Sequence, residues 1–239
     1  MKRTVKMIAL VAVAAGLAFA SCQKEKINSI IENVNNGFNN GGTTMEWVDL
    51  GLPSGLLWAK CNLGAGSPEQ SGCYYAWGET TAKSTYTWST YKYCNDDYDQ
   101  LTKYCNNSRY GDNGFTDGLT SLQAMDDAAA QALLGYGART PTKAEWEELI
   151  NNTTAVWTTM NGVKGRKFTA SNGKSLFLPA AGGRWGGGLD NAGTLGYYWS
   201  STLDADYPSG AWDFRFGADS QGMGNYYRRY AGFSVRAVR

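Results

Sequence analysis

The stretch GYYWSSTLDADYPSGAWDFRFGADSQGMGNYYRRYAGFSVRAVR, residues 196–239, decides how the rest of the chain is read. Aromatic and aliphatic residues recur in it at short intervals: Tyr198, Trp199, Trp212, Phe214, Phe216, Phe233, Val235 and Val238. Between them lies a mixture of Asp, Tyr, Ser, Asn, Gly, Gln and Arg. Strands are expected over 197–201, 211–216 and 233–238. Successive side chains of a strand face opposite sides. Trp212, Phe214 and Phe216 are therefore expected on a buried face, and Asp213, Arg215 and Gly217 on an exposed one. Phe233, Val235 and Ala237 return on the parity opposite to Ser234, Arg236 and Val238 and are expected to close the sheet. Residues 204–207 and 220–227 are expected as loops flanking the middle strand.

Working back from this stretch, GGRWGGG at 182–188 reads as a flexible loop, with no Lys-Ser/Thr after it and no helix to make a phosphate cradle. Before it the hydrophobic period is two. VWTTM, VKGRKFTA and KSLFLPA are separated by Asn161-Gly162 and Asn172-Gly173, the strongest short hairpin signal. RTPTKAEWEELI carries a capping box, Thr142 with Glu145, and an apolar face of Trp146, Leu149 and Ile150. A second helix is expected over DDAAAQALLG, capped by Asp126 and ended by Gly135. Residues 80–118 read as a long irregular loop, a feature usually tied to function or to disorder. EWVDLGLPSGLLWAKCN reads as a hairpin turning on Leu52-Pro53-Ser54-Gly55, and Tyr74 to Trp77 as another short strand. The fold class is α+β: two helices packed on twisted, mainly antiparallel sheets, with long irregular loops.

The first residues have a different character. Lys2, Arg3 and Lys6 precede an apolar run from Ile8 to Ala20, too short for a comfortable membrane span, and then Ser21-Cys22. This predicts a lipoprotein signal peptide over 1–21, with cleavage before Cys22 and acylation of its thiol. Acyl chains would then anchor the protein to a membrane. Residues 22–45 read as a tether, with Ile27, Ile30, Ile31 and Val34 at helical spacing. Residues 46–239 are left as one domain. The 239 residues carry a formal net charge of +1, with no basic stripe, so nucleic acid is not expected as a partner. Beyond Cys22, export permits disulfides among Cys61, Cys73, Cys94 and Cys105. The sequence-local pairs Cys61–Cys73 and Cys94–Cys105 and a set of buried thiols are both compatible with it.

VDLGLPSGLLWA, YYAWGET, RTPTKAEWEEL, SLFLPAAG, YYWSST and GFSVRAVR occur in this order. Together they resemble the Fibrobacter succinogenes major paralogous domain family, common in surface lipoproteins of Bacteroidetes. The resemblance implies a C-type-lectin-like fold of the branch shared with formylglycine-generating enzyme. Some relatives are variable proteins of diversity-generating retroelements, in which a fixed fold displays changing C-terminal residues. It also implies a noncovalent binding site without cofactor or metal, made by Asp204, Asp206, Tyr207, Asp213, Arg215, Asp219, Gln221, Asn225, Tyr226 and Tyr227, with Trp185 as a further stacking platform or a core plug. The expected ligand is an extracellular protein or glycan, and the expected location is the outer membrane, lipid-anchored, at the cell surface.

Three rival readings have less behind them. The chain has no histidine to act as a general base, no cysteine after Cys105 for oxygenase-type cysteine chemistry, and no G-x-S-x-G elbow, so no catalytic residues are assigned. The acidic clusters at 95–99 and 112–113 lack the order of a calcium loop. A structural role in a pilus or surface layer is the main alternative. It requires an open sheet edge or a large apolar patch.

Overall fold

The computed structural model describes residues 45–239. The expected leader, Cys22 and the tether helix lie outside the described residues. The hairpins form where the turn chemistry places them. β1 (Trp47–Asp49) pairs antiparallel with β2 (Leu57–Ala59), and Gly55 N–H donates to Leu52 O at 2.9 Å across the Pro-Ser turn. A third strand, β3, spans Tyr74–Tyr75. β4 (Thr153–Met160), β5 (Val163–Ala170) and β6 (Ser175–Pro179) make the meander. Asn161 and Gly162 link β4 to β5 with φ of 49° and 83°. Both central residues of a type I′ turn need that left-handed backbone, which Asn and Gly tolerate best.

Of the two α-helices among the described residues, α2 (Lys143–Asn151) starts at the expected box. Glu145 N–H donates to Thr142 Oγ1, and Thr142 N–H to Glu145 Oε2. Its Trp146 and Leu149 are buried. The preceding α1 (Ala128–Ala132) is capped one residue later than expected, by Asp127, whose Oδ1 accepts from Ala129 N–H at 2.9 Å. Asp126 is engaged elsewhere: its carboxylate accepts from Tyr93, Tyr104 and Lys103. Charge-assisted bonds in a buried position outweigh one more cap.

The remaining strands form the centre of the molecule. β7 (Gly183–Trp185) and β8 (Gly188–Asp190) turn the expected flexible loop into a two-residue hairpin on Gly186-Gly187. β9 (Gly196–Leu203), β10 (Ala211–Phe216), β11 (Gln221–Gly224) and β12 (Phe233–Ser234) join β3 in a five-stranded sheet of order β11-β10-β9-β12-β3. It is antiparallel except for β12 beside β9. β12 is shorter than expected. The chain beyond it runs alongside β2 instead, with Ala59 N–H donating to Ala237 O and Leu57 N–H to Arg239 O, both at 2.9 Å.

This sheet is covered on both faces. Tyr198, Phe214 and Phe216 pack with Trp146, Phe168 and Trp58 on one side. Tyr197, Trp199 and Phe233 pack with Trp77, Tyr86 and Tyr91 on the other. The expectation that one parity of β10 faces solvent is therefore corrected: Asp213 is fully buried. A register shift between Ala211 and Asp213 turns Trp212 half out, where Lys143 lies 3.8 Å from its ring centroid. Both parities of residues 233–238 are likewise buried.

The second face owes its cover to residues 80–118. They hold little regular structure, yet they bury Tyr86, Tyr91, Tyr93 and Tyr104. Asp117 helps to tie the segment down by accepting from the backbone N–H of Tyr104, Cys105 and Leu119. Neither local cysteine pair forms, because Cys61, Cys94 and Cys105 are free thiols. Cys94 and Cys105 donate instead to the carbonyls of Trp88 and Asn107, each at 3.1 Å.

Candidate ligand-binding surface

The β10–β11 hairpin divides the expected site residues into two groups. At its turn end, Asp219 is exposed and Gln221 Oε1 accepts from Arg166 Nη1 at 3.0 Å. Arg166 also donates to Gly217 O and Ala218 O, so this end is braced by β5. At the open end the loop 204–210 meets residues 225–228. Asp219 and Gln221 are thus separated by the length of the hairpin from Asp204, Asp206, Tyr207, Asn225, Tyr226 and Tyr227, while Arg215 and Asp213 lie along it between the two ends.

Asp204 is expected at the surface but is 2 % exposed. Its Oδ1 accepts from the N–H groups of Asp206 and Tyr207, and its Oδ2 from Asn225 Nδ2. A short carboxylate that bonds the backbone two and three residues on shapes a turn. Asp204 is therefore an anchor, and Asn225 is half-committed to it. The loop's outer residues are the exposed ones: Asp206, and Tyr207 at 58 %. Arg228 Nη1 donates to Ser209 Oγ at 2.6 Å and joins the two loops.

Tyr226 is the most exposed aromatic residue here, at 79 %. It is held from one side: the Arg215 guanidinium carbon lies 5.0 Å from its ring centroid and 5.0 Å from that of Tyr227. Such contacts are worth roughly 0.5–1 kcal/mol at exposed sites. Tyr227 leans on Tyr197, Trp185 and Phe233 at 5.2–5.3 Å. Trp185 is half-buried among the same rings, so it is a core plug and not an outer platform.

Beneath Arg215 lies Asp213, with the two groups 3.4 Å apart. Burial pushes the Asp213 carboxyl up to about 7, with Arg215 pulling in the opposite direction. Asp213 thus underlies the surface and does not display itself on it.

Three neighbours of this surface were missed by sequence reading. Asn106 Nδ2 donates to Ala205 O at 2.9 Å, and Tyr98, 44 % exposed, has the Arg228 guanidinium 5.9 Å from its ring. Tyr98 in turn meets Tyr110 edge-on at 6.3 Å. All three lie in the long irregular segment, whose length was the available signal. Among the described residues no group of three or more Asp, Glu, Cys or His side chains is placed to hold a metal ion, and no helix is long and apolar enough to cross a membrane. Comparison with protein-family models, with curated proteins and with solved structures finds no match.

Proposed function

We propose that this chain is a lipid-anchored protein of the outer membrane, facing the cell exterior, that binds an extracellular protein or glycan. Its binding surface is built from Tyr207, Tyr226 and Tyr227, with Tyr98 and Arg215 at its margin. Its domain is read as C-type-lectin-like. The ordered sequence motifs support that, as does the way the C-terminal segment returns beside β2.

The observation that carries the reading is a contrast within one small area. The exposed tyrosines stand on loops whose anchors are buried: Asp204 at 2 %, and Arg229 and Asp213 at 0 %. Arg229 lies under the 225–228 loop, donates to Lys103 O and Tyr104 O, and so fastens that loop to the long irregular segment. Tyrosine gives a large contact area for few rotatable bonds, and loops ordered beforehand lose less entropy when they bind. The same division suits diversification: exposed positions such as 206, 207 and 226 tolerate change while the anchors stay fixed. The expected pattern, checked by sequencing this gene across many cells, is variation at the former and constancy at Trp199, Phe214 and Phe216.

The direct test is a screen of the full-length chain against arrays of glycans and of secreted proteins. Each hit is then titrated against the Tyr207→Ala/Tyr226→Ala double variant. Buried or partly buried tyrosines at interface centres typically carry about 2 kcal/mol or more, so a loss of roughly thirtyfold or greater is expected. A control, Leu134→Ala, alters a residue exposed at 72 % in the turn after α1 and is expected to leave binding intact. Hits that bind the double variant as well as the unaltered chain would place the function elsewhere.

A further inference from the structure

The surface has a floor as well as a rim. In the β10–β11 ladder Asp213 lies opposite Gly224 and Arg215 opposite Gly222. A Cβ at position 224 would stand 2.1 Å from Arg215 Nη2, whereas one at position 222 would meet nothing within 4 Å. The guanidinium therefore lies against bare backbone, with open space beside it and the rings of Tyr226 and Tyr227 near its edges.

Its electrostatic position is unusual. A guanidinium offers several N–H donors in a rigid fork. Among the described residues the only acceptor for Arg215 is Asp213, and both contacts are long: Nη2 to Oδ1 at 3.4 Å and Nε to Oδ2 at 3.4 Å. Arg215 Nε and Asp213 Oδ2 are both buried and otherwise without a hydrogen-bond partner. The Arg215 side chain is 31 % exposed and that of Asp213 is 0 % exposed. A sealed carboxylate thus depends on one guanidinium that reaches the surface. Any ligand that draws this guanidinium outward leaves the carboxylate without its counter-charge, and a buried carboxylate in that state binds a proton.

Resting on the reading of this face as a binding surface, we propose that Arg215 receives the carboxylate of an acidic sugar ring, of the uronic-acid type, stacked on Tyr226, while Asp213 takes up one proton from solvent. Arg matches a carboxylate with two parallel N–H···O bonds, which its long contacts to Asp213 leave free to form. A ring that carries its own acid uses the fork and the flat tyrosine face together. Where Asp213 is still ionised, one O–H bond forms on its carboxylate with a proton from solvent; no other covalent bond changes, and the charge of Arg215 passes from an internal partner to the ligand.

The groups around Asp213 let this coupling act near neutral pH. β9 presents the Tyr197 hydroxyl, which is 3.3 Å from that of Tyr227, and β11 presents only the backbone of Gly222 and Gly224. Burial pushes the Tyr197 hydroxyl further above its ordinary value, away from neutrality. Among the described residues Arg215 is the one charged side chain acting on Asp213, whose carboxyl lies at about 7.

Oligogalacturonate, titrated calorimetrically into the full-length chain at pH 6 and pH 8, tests the proposal. Neutral malto-oligosaccharide and poly-glutamate serve as comparisons. If only the form with protonated Asp213 releases Arg215, apparent affinity scales with that form's population and is about tenfold higher at pH 6. Arg215→Ala is expected to lose binding by at least about tenfold. Asp213→Asn is expected to bind at both pH values as tightly as the unaltered chain does at pH 6, with near-ultraviolet circular dichroism confirming its fold. Equal loss in both variants would overturn the proposal, since Asp213 would then touch the ligand itself. Binding of poly-glutamate without oligogalacturonate, or of the neutral sugar equally well, would overturn the ligand class. If no acidic probe binds while a ligand from the array screen still depends on Tyr207 and Tyr226, this proposal falls and the binding surface stands.

Discussion

The meander β4–β6 and the central sheet are both mainly antiparallel and both rich in aromatic and β-branched residues, but only β4, the outer strand of the meander, comes close to simple alternation. In β4, partly buried and exposed residues mostly alternate, because much of one face meets water. In β9 nearly every residue is buried. A period-two pattern reports a sheet with one wet face. Where a second layer covers that face, polar residues at the alternate positions become interior groups that need partners. The side chains of Asp213 and Arg236 are the results, and they met different fates. Arg236 is satisfied: its guanidinium donates to Asn62 Oδ1 and to the carbonyls of Ala59, Lys60 and Phe177. Asp213 is satisfied only in part: its Oδ1 accepts one long bond from Arg215, and its buried Oδ2 has no hydrogen-bond partner.

The sharpest way to break this comparison is at Arg236. Arg236→Met keeps most of the volume but removes the guanidinium donors of Asn62 Oδ1 and of three carbonyls. Loss of one partner from a buried charged network costs about 3–5 kcal/mol. Urea denaturation is expected to show that loss, and a change below about 1 kcal/mol would mean that the guanidinium is not the clasp joining the C-terminal segment to β2.

The next effect is a dependence on pH. Asp213 has a folded-state value of about 7, above its ordinary 3.8. Between those values the folded state holds the extra proton, so this group's contribution to stability falls as pH rises from about 4 to 7 and is level above that. The full span is on the order of 4 kcal/mol. Asp126 and Glu145, whose carboxyls are lowered by hydrogen-bonded partners despite burial, act in the opposite sense. The informative quantity is therefore the difference between the unaltered chain and Asp213→Asn. That difference is expected to shift against the unaltered chain as pH rises across the window in a series of denaturation curves.

The smallest effect lies beside the meander. Thr142→Ala removes one cap from α2 and should cost about 1 kcal/mol, with little dependence on pH. A cost several times larger would show that α2, which lies between the two regions, transmits damage to the central sheet.

How much was legible follows the same division. Local signals were sufficient for Asn161-Gly162, for the Thr142–Glu145 box and for the Pro53 turn, because each is decided by residues a few positions apart. Asp126 failed as a cap because its partners Tyr93, Tyr104 and Lys103 come from a segment with no periodic signal. Asp204 and Asp213 failed as exposed residues because their partners are not placed by alternation: Asp204 is taken up by Asn225 and the backbone of its own loop, and Asp213 by Arg215 two residues on. One warning was present in the sequence. Tyr197, Tyr198 and Trp199 put aromatic side chains on both parities of one strand, the mark of a sheet with two buried faces. Tyr207, Tyr226 and Tyr227 were legible as site candidates because small and polar neighbours surround them, and Tyr98 was hidden only by its distance in sequence.

The measurement that bears most directly on the account is a carboxyl-carbon NMR titration of Asp213, assigned by comparison with Asp213→Asn. The sealed carboxylate beneath Arg215 predicts a midpoint near pH 7, rising further when Arg215 is replaced by Ala. A midpoint near 4, unmoved by that replacement, would mean that Asp213 faces water as simple alternation has it, and the division between buried floor and exposed rim would be wrong.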